Sequence, residues 1–338
     1  MSALQYPWPQ TPDPGTTIEV APGIHWLSMP LPFALDHINL WLVQDEGGWT
    51  IVDTGIGNPQ TRALWEKLLA RFQPIKRVIL THYHPDHAGN AAWLCERFGV
   101  ELWTTQGEYL TAHAVAAGAA GYTTDAVLSV FRRNGLEDSR IAAMSGRGNR
   151  YKQLVPEFPH SYRRIIDGDR VRIGGNDWLA IVGHGHAPEH LSLYCEALNV
   201  VIAGDMLLST ISTNVSVWSI DPEGDPLRLF LDSIARYRAL PPDVLVLPSH
   251  GKPFRGAHER VAQLENHHRE RFAELKSELG KGERSAGELL TTLFKRPLDA
   301  HQTFFAMGEA IAHLHYLYYA GEARRAAGAD GIMRYAAR

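Results

Sequence analysis

Residues 81–87 read Thr81-His82-Tyr83-His84-Pro85-Asp86-His87, so three imidazoles and a carboxylate fall within six residues. Imidazole nitrogen and carboxylate oxygen are the borderline-to-hard donors that suit Zn, Fe or Mn. No cysteine stands among them, which argues against a structural thiolate site. The bland alternative is a solvated, His-rich turn. With His and Asp each at about 5% frequency, four specified positions coincide about once in ~10⁵ windows, so metal chemistry is the better expectation. Four more ligand-type residues follow apolar runs: Asp53 after TIV, His186 after WLAIVGHG, Asp205 after VVIAG and His250 after VLVLPS. One polar residue at a strand end is usually an ordinary loop residue, but five such ends carrying ligand chemistry point to a common centre.

The elements that must position these residues are legible. IHWLSMPL, INLWLVQ and WTIVDTG are rich in β-branched and aromatic residues, with Gly47-Gly48 as a hairpin turn between the last two. Pro59 to Phe72 has helical spacing through Leu64, Leu68 and Phe72. The strand RVILTH follows, then a helix from about His87 to Phe98, then ELWTT. Alternating strand and helix is an α/β signature, and in such sheets ligands gather at the carboxyl ends of strands. Residues 106–160, rich in Ala, Gly and Arg, read as a mostly helical insertion. Strands return with YRRII, DRVRI, WLAIVG, LSLYCEA and NVVIAGD, and later DVLVLPSH. These observations predict a catalytic domain over 1–257. Beyond it, the spacing predicts a long charged helix from Glu259 to Leu279, with His267-His268 on its surface. The capping-box pattern Ser285-Ala286-Gly287-Glu288 opens a second helix, a third runs from Phe304 to Tyr319, and a terminal hairpin follows. Three helices and a β-wing over 258–338 suggest a winged-helix-like domain.

The ordered set His82-x-His84-x-Asp86-His87, Gly185-His186-x-x-x-His190, Gly204-Asp205 and His250-Gly251, each after a strand, resembles the metallo-β-lactamase superfamily over residues from about 16 to 256. The resemblance implies an α/β fold, a four-layer αβ/βα sandwich. It implies one metal held by His82, His84 and His186, and a second held by Asp86, His87 and His250, with Asp205 bridging both. Asp53 and His190 match positions that orient ligands by hydrogen bonds. Two divalent ions are expected, Zn first, with Fe or Mn as alternatives. A hydroxide between them is the expected nucleophile, with Asp86 or Asp205 accepting its proton. No G-x-S-x-G nucleophile elbow competes with this reading. Ala187 and Glu189 stand where many members have Thr and Gly. His184, two residues before His186, is a further ligand candidate against a plain loop role.

The chain has 338 residues, 45% hydrophobic and 21% charged, with a formal net charge of −4, so it has no overall bias toward polyanions. Its two cysteines, Cys95 and Cys195, cannot make a disulfide framework and read as buried thiols of a reducing compartment. MSALQYPWPQTPDPG has no basic region followed by an apolar one, so a cytoplasmic enzyme with no membrane contact is expected. The expected partner is a small-molecule substrate, with a homo-oligomer compatible. From Glu259 to Arg338 there are 12 basic and 11 acidic residues, a net of +1, which disfavours a nucleic-acid reader or a DNA-binding metal sensor. Arg147, Arg150 and Tyr151 in the insertion are candidates for an anionic part of the substrate. Acyl ester, thioester or lactone hydrolysis ranks first, and RNA or phosphodiester cleavage second. The sequence Pro248-Ser249-His250-Gly251-Lys252-Pro253 departs from the glutathione-contacting tail of glyoxalase II enzymes, which disfavours that particular thioesterase.

Overall fold

The structure, a computed structural model, describes residues 4–33, 35–146 and 148–338. Two sheets carry the site. The first places β1 (Ile18–Ala21), β2 (Ile24–Pro30), β3 (His37–Asp45), β4 (Gly48–Val52), β5 (Ile75–Ile79), β6 (Leu102–Thr104) and β7 (Tyr162–Arg164) side by side in chain order. The second does the same with β8 (Arg170–Ile173), β9 (Asn176–Gly183), β10 (His190–Cys195), β11 (Val200–Gly204), β12 (Leu245–Pro248) and β13 (Phe254–Arg255). The strands β1 to β4 pair antiparallel through short turns, whereas β4 to β7 and β11 to β12 pair parallel. Parallel neighbours need crossovers. These are α1 (Pro59–Leu69) between β4 and β5, and α2 (Pro85–Ala88) with α3 (Ala91–Phe98) between β5 and β6. Next come α4 (Gln106–Ala117), α5 (Thr124–Arg133), α6 (Asp138–Met144) and α7 (Arg150–Leu154), and finally α8 (Pro226–Ala235) before β12.

The period-two pattern of β3 explains the layering. Ile38, Leu40 and Leu42 join a core with Trp65, Leu68 and Leu94 of the covering helices. Trp41 and Val43, on the opposite face, join a second core with Trp178, Leu191, Leu193 and Ile202 of the second sheet. On the far side of the second sheet, the Tyr237 hydroxyl meets Ser192 Oγ at 2.6 Å, so a helical segment closes the fourth layer. This is the αβ/βα sandwich that the resemblance implies.

By packing, residues 1–117, 150–213 and 234–261 form one unit, and residues 118–149, 214–233 and 262–338 another. The first unit holds both sheets together with α4 and α7 of the expected insertion, whereas α5 and α6 belong to the second. That second unit contains most of α9 (Ala257–Leu279), then α10 (Leu290–Leu293), α11 (Ala300–Tyr319) and the hairpin β14 (Ala323–Ala327) with β15 (Met333–Ala337).

The chain departs from the expected elements at four places. The helix expected from His87 to Phe98 is broken at Gly89-Asn90. Asn90 Nδ2 donates to the carbonyls of Thr54 and Ile56, and a Cβ on Gly89 would overlap the backbone of Gly57, so the chain bends to clasp the β4–α1 loop. The Ser285–Glu288 capping box forms, yet only the single turn α10 follows. The third helix starts at Ala300, four residues earlier than expected, because Asp299 and Gln302 form their own capping box. His268 is buried, not on the surface: it lies on the stripe Val261-Leu264-His268-Leu275 of α9, and its Nδ1 sits 3.1 Å from His313 Nε2.

Candidate metal centre

Asp53 ends β4 and the His turn follows β5. The His186 loop links β9 to β10, Asp205 follows β11 and His250 follows β12. All of these lie at one edge of the two sheets. Asp53 is held at φ 61°, a backbone conformation uncommon for a non-glycine residue. This aims its carboxylate at the turn: Oδ1 accepts from Thr81 N, Oδ2 from Thr81 Oγ1, and Oδ2 also lies 2.8 Å from His87 Nδ1. With its Nδ1–H given to Asp53, His87 presents Nε2 inward, 3.7 Å from Asp86 Oδ2 and 3.6 Å from Asp205 Oδ1. His250 is set the same way: Nδ1 lies 3.0 Å from the His37 carbonyl, so Nε2 faces Asp86 Oδ2 at 3.3 Å.

Three sets of donor atoms converge: His82, His84 and His186; Asp86, His87 and His250; and His82, His87 and Asp205. Asp205 reaches both ends, with Oδ2 at 3.4 Å from His186 Nε2 and Oδ1 at 3.6 Å from the Nε2 atoms of His87 and His250. His190 accepts the Asp205 N–H on its Nε2 at 3.0 Å, which fixes the backbone from which that carboxylate springs. A side chain at Gly204 would overlap the His190 ring, so this approach requires glycine.

The electrostatics are those of a site suited to cations. Burial and then the surrounding imidazoles pull His82 well below its ordinary pKa, and burial with His186 pulls His84 down to about 3. Yet His82 Nε2 lies 2.9 Å from His84 Nδ1 and 3.2 Å from His186 Nε2. Thr81 Oγ1 donates to Asp53, so the one N–H of a neutral His82 goes to that hydroxyl through Nδ1, and its Nε2 lone pair is the inward donor atom that the other two rings face. Burial alone would lower His87, but the carboxylates of Asp53, Asp86 and Asp205 raise it to about 10. Burial would raise Asp205, whereas His250, His87 and His186 hold it well below the usual carboxylate range. His87 Nε2 and Asp205 Oδ1 are buried with no hydrogen-bond partner. A buried unpaired donor or acceptor costs about 1–3 kcal/mol, and divalent ions relieve both. The residues present therefore fit such ions.

The structure brings His82, His84, Asp86, His87, His186, Asp205 and His250 together, with Asp53 and His190 behind them. His184 stays outside this cluster, its Nδ1 2.6 Å from the Pro188 carbonyl in a loop role. Tyr151 of α7 is buried, and its hydroxyl donates to the Tyr83 carbonyl at 2.8 Å. Arg150 is exposed at the start of the same helix. Arg147 lies outside the described residues.

Sequence reasoning missed Glu108 on α4. It is fully buried, and its two oxygens accept the N–H groups of Tyr83 (2.9 Å) and Glu189 (2.7 Å). Tyr83 separates His82 from His84, and Glu189 separates His186 from His190, so one carboxylate ties the two ligand loops together. Glu189 reciprocates by accepting from Gly107 N at 2.8 Å. Burial lifts Glu108 to about 7 against the two N–H bonds that favour its charged form. The only sequence signal was the unusual Glu189 in the second ligand loop.

Comparison with known proteins agrees with this geometry. The family described as "Metallo-beta-lactamase superfamily" matches residues 34–250, and "Metallo-beta-lactamase-like, C-terminal domain" matches residues 272–338. The likeness of the C-terminal stretch to a winged helix rests on element order alone. A Beta-lactamase domain protein from Burkholderia ambifaria, of known crystal structure, is 48% identical with a TM-score of 0.93, covering 99% of this chain and 98% of that one. "Probable metallo-hydrolase YqjP" of Bacillus subtilis is 25% identical, covering 86% of this chain and 91% of its own. A "Hydroxyacylglutathione hydrolase" of Erwinia tasmaniensis is 26% identical, covering 64% of this chain and 63% of its own. Two sheets that deliver imidazoles and carboxylates to one edge, and a family match over most of the length, lead to one conclusion: the chain belongs to the metallo-beta-lactamase superfamily and is a metal-dependent hydrolase.

Proposed function

We propose that the protein is a two-metal hydrolase, with Zn as the native ion ahead of Fe or Mn, that cleaves a small, anionic acyl ester, thioester or lactone. The observation that carries the two-metal reading is the placement of Asp205, whose two oxygens face different donor sets. His82, His84 and His186 would hold one ion and Asp86, His87 and His250 the other, with Asp205 shared. When bound, such ions supply a water acidic enough to attack at neutral pH and a Lewis acid for the developing oxyanion. The chain's own residues do the rest. Asp53 holds the proton on His87 Nδ1 and thereby keeps Nε2 available. His190 and Glu108 fix the loops on which the ligands stand. The Asp86 side chain, partly open to solvent, stays ionised because His87 and His250 outweigh its burial, so it can accept the attacking water's proton.

Similarity to a hydroxyacylglutathione hydrolase supports acyl transfer to water and a thioester in particular. The different residues after His250 argue for a thiol other than glutathione. Exposed Arg150 is suited to an anionic substrate group. Two buried free thiols, Cys95 and Cys195, support a reducing, cytoplasmic setting. The test is an assay of metal-loaded protein on thioesters, esters, lactones, phosphodiesters and RNA. Turnover of acyl substrates above all others is expected. Turnover of phosphodiesters or RNA alone would overturn the substrate reading and leave the metal assignment standing.

A further inference from the structure

A cleft of about 550 Å³, separate from the metal centre, is built on the first unit of the chain. Lys76 and Arg77 open β5, whose opposite end carries the His turn. Arg163 comes from β7, and Arg170 and Arg172 from β8. Five cations thus face two carboxylates, Asp45 and Glu46, giving a local net of +3 in a chain whose net charge is −4. Asp45 is largely committed to the fold: it accepts from Thr50 Oγ1, Glu46 N and Gly174 N before it reaches Arg77 Nη2 at 2.8 Å. Arg172 is paired with Asp177 at 3.2 Å. Among the described residues no carboxylate pairs with Lys76, Arg163 or Arg170.

Two of the guanidiniums are fixed in place. Arg77 and Arg163 pack on the Trp103 ring, 4.7 and 4.5 Å from its centroid. Ordering long cationic side chains beside one another is unfavourable unless a counter-charge arrives, and Arg forks match phosphate oxygens. We propose that this cleft binds a small molecule bearing two or three linked phosphates. One phosphate is too small a charge for three unpaired cations plus Arg77. A nucleic acid is disfavoured because the Trp103 ring, the only aromatic surface among the described residues that line the cleft, already carries two guanidiniums and offers no stacking platform.

The test is isothermal titration of full-length, metal-loaded protein with tripolyphosphate, ATP and orthophosphate, repeated with R163A/R170A. Arg163 and Arg170 are exposed, so the double variant should fold normally, which circular dichroism and metal content confirm. Expected is one saturable tripolyphosphate site per chain, weakened about tenfold or more in R163A/R170A and weakened again by raising the salt. ATP matching tripolyphosphate would show that the phosphate chain alone is read, and ATP binding more tightly would show that a nucleotide is. The proposal is overturned by no saturation at millimolar ligand, by affinity unchanged in R163A/R170A (binding at the metals instead), or by orthophosphate binding as well as tripolyphosphate.

Discussion

Glu108 offers the sharpest single perturbation, because one buried carboxylate holds two ligand loops that come from different sheets. In wild type its oxygens accept from Tyr83 N at 2.9 Å and Glu189 N at 2.7 Å. Glu108→Ala orphans both N–H groups, and each buried orphan costs about 1–3 kcal/mol, so a loss of about 2–6 kcal/mol of stability is expected. Glu108→Gln keeps one acceptor oxygen and turns an amide N–H₂ toward the other donor, so about half of that loss is expected. The effect should reach the metals. His82 and His84 flank Tyr83, and His186 lies three residues before Glu189, so slackening the tie loosens the first donor set. Groups that orient ligands from behind typically change metal affinity by about 10–100-fold. The assay is chelator competition at pH 8, where the carboxyl is ionised, alongside denaturant unfolding. One of the two ions should weaken by about tenfold in Glu108→Gln and by more in Glu108→Ala, while the other changes little. If Glu108→Ala bound both ions as wild type does and unfolded at the same denaturant concentration, the clamp argument would be wrong.

Other consequences follow from the same geometry. Asp205→Ala should keep the fold, lower bound metal from about two ions per chain toward one or none, and reduce kcat by at least about 100-fold, read by elemental analysis and steady-state kinetics. Gly204→Ala combines a φ of +55° with overlap on the His190 ring. It should cost about 2–4 kcal/mol of stability, measured by denaturant unfolding, and an unchanged midpoint would contradict the close approach. Burial holds His268 down to about 2 and His313 down to about 4, both below the unfolded value of 6.5. Lowered folded values mean that the unfolded chain gains the protons first, so stability is full above pH 6.5 and is lost as pH falls from there, toward 4 for His313 and toward 2 for His268. Each imidazole contributes up to about 1.4 kcal/mol per pH unit over that window. His268→Leu should flatten the acid limb of stability measured between pH 4 and 7, and an unchanged slope would refute the assignment.

How much of this was legible in the sequence depends on where each signal lies. The His turn is contiguous, and His186, Asp205 and His250 each end an apolar strand, so local reading located all of them. Asp53 was legible as a strand end, but its positive φ and the two hydrogen bonds it accepts from Thr81 were not. Glu108 left no local trace: a carboxylate in an Ala-rich helix looks solvated, and its partners are backbone groups from loops 25 and 81 residues away. His184 shares strand phase with His186, yet the chain turns between them and the ring goes to a carbonyl. The His268 stripe was present in the spacing, but charged neighbours on both sides drew the reading toward the surface. Chain order also concealed how packing groups α4 and α7 with the sheets and α5 and α6 with the C-terminal helices.

Asp205 is proposed to join two ions. Anomalous diffraction from crystals of zinc-loaded protein tests it most directly. Two peaks are expected, one among His82, His84 and His186 and one among Asp86, His87 and His250, with Asp205 between them. A single peak at full metal loading, or a second ion held by any other set of residues, would contradict it.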